Sequence, residues 1–196
     1  MIVLQKLTNY LTKLVDYLHL LVFKMEIKAN VEGKIHGLKT YGKVKVKTNK
    51  SAKIVLGSDI VFRSRMFSNY MGINRSCSIA MMKDSAKLEI GQATGFSGTA
   101  IGCFENIKIG RNVMFGANTL VTDSDWHEDD FRSGGSRPVL ICDNVWIGYG
   151  AIILKGVEIG ENSVIGAGSI VTSSIPANVV AAGNPCRIVK HLSRSK

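Results

Sequence analysis

The sequence predicts an all-β protein whose chain winds into a parallel coil of short strands. Three observations predict it: an aliphatic ladder with a period of six residues, glycines at a fixed offset from that ladder, and one polar segment that interrupts it. A unit of six residues is too short to bury an apolar face alone, so successive units must stack and fill the interior with the ladder. The predicted architecture is therefore a parallel β-helix.

The ladder is clearest in the C-terminal half of the chain. Every sixth residue from Ile141 to Val171 is aliphatic, and a small or β-branched residue stands four places after each. The ladder positions are Ile141, Ile147, Ile153, Ile159, Ile165 and Val171, and the second positions are Val145, Ala151, Val157, Ser163, Ser169 and Ile175. Glycine follows the ladder at Gly148, Gly160 and Gly166, which we interpret as tight corners that need a residue with little steric restriction.

The same spacing continues upstream with lower regularity. The upstream ladder positions are Ile54, Ile60, Ile90, Phe96, Ile109, Phe115 and Val121. Between residues 30 and 85 the pattern is degraded, although residues 43–47 alternate Lys and Val as a half-exposed strand does. We therefore predict strands in that part of the chain without a fixed register.

Residues 1–24 are predicted to form a short amphipathic helix ahead of the coil. Its apolar residues follow helical spacing, at Val3, Leu7, Tyr10, Leu11, Leu14, Leu18 and Leu21. We expect the helix to cap the open end of the coil, where strand edges would otherwise be exposed, or to contact another subunit. The alternative is a weak contact with a membrane surface, helped by the positive charge of the chain. The remaining predicted segments are the coil, residues 25–190, and a tail, residues 191–196.

The composition limits the partners and the location. The formal net charge is +10, from 25 Lys and Arg against 15 Asp and Glu, which favours anionic partners. No helix-turn-helix pattern, zinc finger or RNA-binding aromatic strand accompanies the basic residues, so nucleic acid is not expected as a partner. The four cysteines stand far apart, which is typical of free thiols in a reducing compartment.

The apolar N-terminal segment is interrupted by Lys13, Asp16 and His19. These residues leave no apolar stretch of the length that a signal peptide or a spanning helix needs. We therefore expect a cytoplasmic protein, in contact with the inner face of the membrane only if the helix binds there.

One polar segment breaks the ladder, between Val121 and Ile141. Residues 123–138 read DSDWHEDDFRSGGSRP, and such an insertion must leave the coil as a protruding loop. Loops that leave an otherwise regular solenoid commonly carry its function. We therefore expect the functional site to include this loop.

The C-terminal part of the chain resembles a known family. Residues 144–190 combine the repeat, the Trp146 position in NVWIG and the ending GNPCR, and in these features they are similar to the hexapeptide-repeat acetyltransferases. The closest resemblance is to galactoside and maltose O-acetyltransferases and to the acetyltransferases of capsule and lipopolysaccharide clusters, and it extends back to about residue 88. The resemblance implies a left-handed coil, a homotrimer with active sites between subunits, acetyl-coenzyme A as the donor, and a catalytic histidine in the loop before NVWIG.

In this sequence the histidine of that loop is His127. Attack on a thioester requires a base that takes the proton of the acceptor, and an imidazole, with an ordinary pKa of about 6.5, suits this task at neutral pH. Among the acidic residues of the loop, Asp125 is the candidate that orients the imidazole. His19, His36 and His191 lie outside the resemblance and are interpreted as structural or surface residues.

The resemblance also assigns residues to the donor. They are Trp146 and Tyr149 along the pantetheine arm, Ala167 and Thr172 near its far end, and Arg187 and Lys190 near the nucleotide phosphates. Basic side chains are what a pyrophosphate and a 3′-phosphate require. Ser173 stands where the family commonly has a lysine, so one phosphate contact is lost or supplied elsewhere.

The acceptor wall departs from the sugar-acetylating relatives. Those relatives carry an Asn and an Asp on the preceding coil, whereas residues 95–106 read GFSGTAIGCFEN and match neither. Ser97 and Glu105 are the candidate acceptor-binding residues here. We predict direct transfer of an acetyl group to a hydroxyl of a saccharide, in polysaccharide biosynthesis.

Two other functions are open at this stage. The acceptor is alternatively an amine, on an amino-sugar nucleotide or an aminoglycoside-like compound, because the same base and donor site serve both reactions. The other alternative is an inactive scaffold that binds no coenzyme A. A zinc hydratase of the same fold needs three histidine ligands per metal, which four scattered histidines do not provide, so no metal is expected.

Overall fold

The structure, a computed structural model, describes residues 2–32 and 35–193, apart from the side chains of Ile2 and Val3. Residue 1 of the predicted helical segment, the predicted apolar position of Val3 and residues 194–196 of the predicted tail therefore lie outside the described residues. Within them, one helix, α1 (Ile2–Ile27), precedes twenty short strands, β1 to β20. The helix continues beyond the predicted end at residue 24.

The strands form three sheets, which are the faces of a three-sided coil. Face A consists of β1 (Val31–Glu32), β4 (Lys53–Leu56), β7 (Lys87–Ile90), β10 (Asn106–Ile109), β13 (Val139–Ile141) and β16 (Glu158–Ile159). Face B consists of β2 (Lys39–Tyr41), β5 (Val61–Arg63), β8 (Gly95–Ser97), β11 (Met114–Ala117), β14 (Trp146–Ile147), β17 (Val164–Ile165), β19 (Val179–Ala182) and β20 (Arg187–His191). Face C consists of β3 (Lys45–Lys47), β6 (Ser78–Met81), β9 (Ala100–Cys103), β12 (Leu120–Thr122), β15 (Ile152–Ile153) and β18 (Ile170–Val171).

Neighbouring strands of each face are parallel, and β20 alone among the described strands pairs antiparallel, with β19. The chain visits the three faces in turn, which is the predicted left-handed parallel β-helix. Strand β20 reaches His191, the first residue of the predicted tail.

The six-residue ladder fills the interior, as predicted. Each ladder residue from Ile109 to Val171 is buried, and so is each second position from Val145 to Ile175. On face B the ladder is aromatic, because the ring of Phe96 stacks at 4.9 Å on Phe62 and at 4.7 Å on Phe115. The six-residue period therefore predicted correctly which of these residues are buried in the C-terminal half.

The register of the first coils differs from the sequence interpretation. Ile54 and Ile60 are buried, but the ladder positions are Leu56 and Phe62, because Leu56 pairs with Ile90 and Phe62 with Phe96. Side chains two residues apart on a strand point to the same side. A ladder through Ile54 and Ile60 and a ladder through Leu56 and Phe62 would therefore both place apolar residues inside. The apolar character of the residues alone cannot decide between them.

The glycines after the ladder have a different cause from the one predicted. A Cβ on Gly148 would lie 2.5 Å from the backbone nitrogen of Ala167 in the next coil, so glycine is required by the close approach of two coils. The left-handed conformation is found instead at other glycines, such as Gly150 and Gly168, and at asparagines, which tolerate it by forming local hydrogen bonds. At the edge between faces A and B the asparagines are Asn112, Asn144, Asn162 and Asn178, with φ between 54° and 59°, linked side chain to side chain at 3.1–3.2 Å.

Helix α1 closes the first end of the coil through its last turns. Phe23 and Ile27 are buried, and the ring of Phe23 meets Phe62 edge to face at 5.4 Å. Asp16 fixes the middle of the helix, since its carboxylate accepts hydrogen bonds from the Gly42 N–H at 2.9 Å and from Arg65 at 3.0 Å. Within residues 2–32 and 35–193, no helix is long and apolar enough to cross a membrane.

Within the residues that the structure describes, two loops leave the coil, one more than predicted. The predicted loop, residues 123–138, connects face C to face A between β12 and β13. A second loop, residues 64–77, connects face B to face C between β5 and β6. It lies in the part of the sequence where the ladder is degraded, so the six-residue repeat does not show where this loop begins or ends.

Candidate active site

The candidate site residues lie along two edges of the coil. We call the edge where the chain passes from face C to face A the CA edge, which carries the loop of residues 123–138, here the His127 loop. The BC edge, where the chain passes from face B to face C, carries residues 64–77, here the second loop. Each edge is built from residues of several successive coils.

The His127 loop begins at a buried carboxylate. Asp123 is fully buried, and its two oxygens accept hydrogen bonds at 2.8 Å from the backbone N–H groups of Phe104, Glu105 and Asn106 in the preceding coil. Hydrogen bonds of this kind are strong because the acceptor is charged. Burial and the charge of Asp123 raise the pKa of the adjacent Cys103 thiol, which therefore stays protonated.

Trp126 packs onto the coil immediately before the histidine. Its indole N–H donates to the Thr122 hydroxyl at 3.0 Å, and its ring meets Phe104 edge to face at 5.2 Å. The ring also covers Gly102, where an added Cβ would lie 2.2 Å from the indole. Trp126 takes a left-handed backbone conformation with φ of 70°. The residue before His127 is therefore held by contacts with three residues of the coil.

Asp125 is bound to a lysine, and none of its hydrogen bonds among the described residues goes to the imidazole. Lys155, whose side chain is 11% exposed, donates to the Asp125 carboxylate, which also accepts the N–H of Gly134 at 3.2 Å. The hydrogen bond from Lys155 is the main reason that the pKa of Asp125 lies below its ordinary value. Asp125 thus fastens the two arms of the loop to the next coil.

Glu128 fastens the other side of the histidine. Its carboxylate forms an ion pair with Lys83 at 2.6 Å and accepts the hydroxyl of Ser136 at 3.0 Å. The hydrogen bond from Lys83 lowers the pKa of Glu128. His127 itself is exposed, and its imidazole makes no hydrogen bond with the rest of the described chain. The loop therefore presents a free imidazole between two anchored neighbours.

The BC edge carries an apolar groove of about 500 Å³. Three of the residues assigned to the donor line it, namely Trp146, Tyr149 and Ala167. Trp146 is 53% exposed although it lies on a strand, so its indole forms a wall of the groove instead of packing inside the coil. A larger hollow of about 740 Å³ lies on the outside of face A and contains none of the predicted site residues.

The groove follows stacked corners toward the far end of the coil. Gly148 lies against Ala167 of the next coil, and Gly166 lies against Ala182 of the coil after that. Arg187 is the strand partner of Ala182 and is exposed. A basic group therefore lies on the same edge at the C-terminal end of the coil, which we call its upper end. Lys190 is exposed on the same strand, where it pairs with Val180.

Thr172 lies elsewhere. It follows β18 at the end of face C, on the CA edge, and it does not line the groove. The chain crosses face C from Gly150 to Lys155, a path of roughly 17 Å at about 3.3 Å per residue. Within one copy of the chain, the His127 loop and the groove are therefore separated by the width of a face.

The second loop forms one side of the groove. Asn69 and Met71 of this loop line the groove, and the Asn69 amide donates to the hydroxyl of Ser97 at 3.0 Å. Ser97 is 5% exposed, so the candidate acceptor residue supports Asn69 and is itself covered. Glu105, the other candidate, is exposed on the CA edge beside the His127 loop.

Asn118 joins the second loop to the groove residue Tyr149. Its amide group donates to the Gly72 carbonyl at 2.7 Å and to the Tyr149 hydroxyl at 3.1 Å, and its oxygen accepts the N–H of Asn74 at 3.0 Å. Arg75 fastens the same loop by donating to three backbone carbonyls of the BC edge. Sequence reasoning missed these residues, and the cluster of turn-forming residues over 69–74 is the signal that could have indicated a loop.

Comparison with known proteins is consistent with this geometry. Residues 138–173 match the family described as bacterial transferase hexapeptide (six repeats). The chain is 47% identical over 95 residues to the galactoside O-acetyltransferase of Lactococcus lactis subsp. lactis, which covers 46% of this chain and 45% of that protein. Residues 138–173 therefore carry the repeats of the hexapeptide-repeat transferase family.

Solved structures of other proteins support the fold of this chain. The polySia specific acetyltransferase NeuO is 25% identical, with a TM-score of 0.58 over 85% of this chain and 82% of that one. A variant of AntD, an N-acyltransferase from Bacillus cereus, in complex with dTDP-4-amino-4,6-dideoxyglucose and coenzyme A, is 20% identical, with a TM-score of 0.64 over 87% and 89%. At that identity the second likeness concerns the fold alone. The alignment with the curated relative spans less than half of that protein.

Proposed function

We propose that this protein moves an acetyl group from acetyl-coenzyme A to a hydroxyl of a saccharide, with His127 as the general base. The observation that carries the proposal is the pairing of an apolar groove, walled by Trp146 and Tyr149, with a firmly anchored loop that presents a free imidazole. The names of the similar proteins, a galactoside O-acetyltransferase and a polySia specific acetyltransferase, support acetyl transfer to a sugar.

The groove fits the donor. An extended pantetheine arm needs a narrow apolar channel, and the lining residues Met114, Trp146, Val164 and Ala167 supply one. At its upper end, Arg187 and Lys190 would pair with the nucleotide phosphates. Because Ser173 carries no charge, these two residues would supply most of the positive charge there.

The proposed reaction is a direct transfer. His127 takes the proton of the acceptor hydroxyl as the oxygen attacks the thioester carbonyl carbon, and it returns that proton to the sulfur as the C–S bond breaks. A backbone N–H of the cleft would stabilise the oxyanion between the two steps. Asp125 is proposed as a positioning residue, because its ion pair with Lys155 fixes the loop that carries the imidazole.

The acceptor is proposed to bind between the histidine and the second loop. Ser97 would act through Asn69, whose amide it holds at the groove, and Glu105 would contact acceptor hydroxyls from the CA edge. The product decides between the two acceptor classes: an O-acetyl sugar supports the proposal, and an N-acetyl product from an amino sugar supports the amine alternative. We place this reaction in polysaccharide biosynthesis in the cytoplasm, where four free cysteines are stable as thiols.

The active form is proposed to be a homotrimer. The CA edge of one copy would face the BC edge of the next, which brings the His127 loop to a groove that it cannot reach within its own chain. Thr172 lies on the same CA edge, so it would contact the donor that is bound in the groove of the neighbouring copy.

Loss of the imidazole tests the base. We expect His127→Ala to lower the rate of thiol release from acetyl-coenzyme A, with a panel of saccharides, by about 10²–10⁴-fold. His36→Ala, which removes an exposed histidine on the first coil, is the matched control and should keep the wild-type rate. Equal rates for His127→Ala and wild type would refute the assignment, and a wild-type protein that binds no coenzyme A would support the scaffold alternative.

Mixed trimers test the shared site. Co-expression of His127→Ala with Ala167→Trp, which fills the groove, should restore about a quarter of the wild-type activity, since a working cleft needs an intact loop from one copy and an intact groove from the other. Differently tagged copies allow the mixed species to be purified, and each mixed trimer would then hold one working cleft of three, or about a third of the wild-type activity. Mixed trimers with no more activity than either variant alone would contradict a site formed between copies.

A further inference from the structure

Helix α1 exposes a broad apolar surface that no part of the described chain covers. At 100° per residue, its exposed large apolar side chains fall within an arc of about 160°. We call this surface the apolar sector; it comprises Leu4, Leu7, Tyr10, Leu11, Leu14, Val15, Tyr17, Leu18, Leu21, Val22 and Met25. A continuous surface of eleven exposed large apolar side chains commonly marks a site of interaction.

The capping role does not use this sector. The side chains that close the coil, Phe23 and Ile27, lie on the opposite face of the helix, as does the anchoring Asp16. Each residue from Leu4 to Leu11 is exposed, so the first half of the helix has no packing partner in the described chain. The anchored second half therefore holds the first half out from the end of the coil with its apolar sector uncovered.

The positive charge of the protein is concentrated at the same end. Residues 1–53 contain 11 Lys and no Arg against 3 Asp and Glu, which gives +8 of the net +10 of the whole chain. Residues 54–196 contain 14 Lys and Arg against 12 Asp and Glu, which gives only +2. The first end of the coil is strongly basic, and the rest of the molecule is close to neutral.

The lysines are placed beside the apolar sector. On the helix, Lys6, Lys13 and Lys24 follow one border of the sector, next to the side of it that carries Tyr10 and Tyr17. A border of lysine and tyrosine is typical of helices that lie at a membrane interface, since long basic side chains keep their charge in water while their stems are buried.

The strands under the helix continue the basic surface. Lys39 lines a crevice with Lys13 and Tyr17 at the junction of helix and coil, and Lys45 and Lys47 are exposed on β3, which also contacts the helix. The basic residues thus surround the helix from both sides of this junction.

We infer that α1 and the first coil dock on an anionic membrane surface, with the apolar sector in the interface and the lysines on the lipid headgroups. The lysines would attract the helix to the anionic surface, and the apolar sector would insert into the interface. The alternative occupant is the helix of another copy. It is disfavoured because three copies would bring +8 each together at one end, and because the sector is wider than the narrow seam of a coiled coil. This inference does not depend on the proposed acetyl transfer.

Vesicle binding by the full-length protein tests the inference. The wild-type protein should sediment with vesicles of phosphatidylcholine mixed with phosphatidylglycerol, bind pure phosphatidylcholine weakly, and leave the mixed vesicles at high salt. The double variant Leu11→Glu with Leu18→Glu should lower the bound fraction about tenfold or more. The control, Gln5→Glu with Asn9→Glu, makes the same change of charge on the same helix outside the apolar sector and should lower it much less.

Two results would overturn the inference. One is the absence of wild-type binding to the anionic vesicles. The other is an equal loss in the two double variants, which would mean that charge alone acts and that the apolar sector inserts nowhere. Light scattering on the same proteins adds a third readout, because a fall in oligomer size for the leucine variant alone, without any vesicle binding by the wild type, would assign the sector to another copy.

Discussion

The contact between Gly102 and Trp126 allows the position of the His127 loop to be changed by a single methyl group. A Cβ on Gly102 would lie 2.2 Å from the indole, whereas carbon atoms in contact are separated by about 3.5 Å. In Gly102→Ala the indole must therefore move by about 1.3 Å. The backbone of Gly102 is not in the left-handed region, so alanine introduces no strain of its own.

The expected effect on stability is small. The displaced indole loses its hydrogen bond to Thr122 and its edge-to-face contact with Phe104, each worth about 1 kcal/mol. Alanine is better than glycine in a strand by about 0.5–1 kcal/mol, which offsets part of this loss. The free energy of unfolding should fall by about 1 kcal/mol, which urea denaturation can measure.

The expected effect on activity is much larger. His127 follows Trp126 directly, and a displacement of about 1 Å in a reacting group lowers rates about 100-fold. We expect kcat for thiol release to fall by about that factor, with a smaller change in KM for acetyl-coenzyme A because the groove residues lie on the BC edge. The double variant with Trp126→Ala isolates the cause, since without the indole the added methyl group has nothing to displace. If Gly102→Ala lowers kcat equally in the wild-type and Trp126→Ala backgrounds, the steric explanation is wrong.

Three further predictions concern the same two edges. Asp123→Asn should lower the free energy of unfolding by about 2–4 kcal/mol in urea denaturation, because an amide turns donors toward buried backbone N–H groups, and an unchanged midpoint would contradict the role of the carboxylate. Lys155 lowers the pKa of Asp125, so this anchor is fully present above the unfolded pKa of about 3.9 and is lost as the pH falls through the lower folded value. Wild-type protein should therefore be cleaved in the loop by protease only in acid and Lys155→Met at neutral pH as well, and equal cleavage of the two at neutral pH would count against the anchor. Trp146→Ala should raise KM for acetyl-coenzyme A about tenfold with a smaller change in kcat, while Leu4→Ala, far from the groove, should leave both constants unchanged.

The regular part of the fold was predictable because burial in a coil repeats with the sequence. Each ladder residue from Ile141 to Val171 faces the interior, so the six-residue repeat of the sequence corresponds to a six-residue repeat of buried positions in the coil. The first coils were harder, since Ile54 and Leu56 both point inward and either could define the phase. The strand pairing of Leu56 with Ile90 shows that Leu56 is the ladder position. Strand pairing cannot be read from a single sequence.

Candidate site residues could be named from the sequence only where one residue type carries the proposed chemistry. His127 and Trp146 were named from a motif and stay predictions; the structure shows that both are exposed. The supports of the site depend on contacts between coils. Lys155 reaches Asp125 across 30 residues of sequence, and Asn118 reaches the Tyr149 hydroxyl across 31. No local pattern connects residues so far apart, and the resemblance to a family names the groups that react but not those that hold them.

The coil geometry also accounts for the division of the proposed site between two edges. A loop can leave a stacked coil only at a corner, because a residue inserted within a face would break the ladder of strand pairs above and below it. The His127 loop and the second loop use two different corners, and face C, filled by residues such as Val121 and Ile153, lies between them. The proposed reaction needs both edges, and in the proposed homotrimer the CA edge of one copy would supply the His127 loop to the BC edge of another. The proposed activity would then depend on assembly.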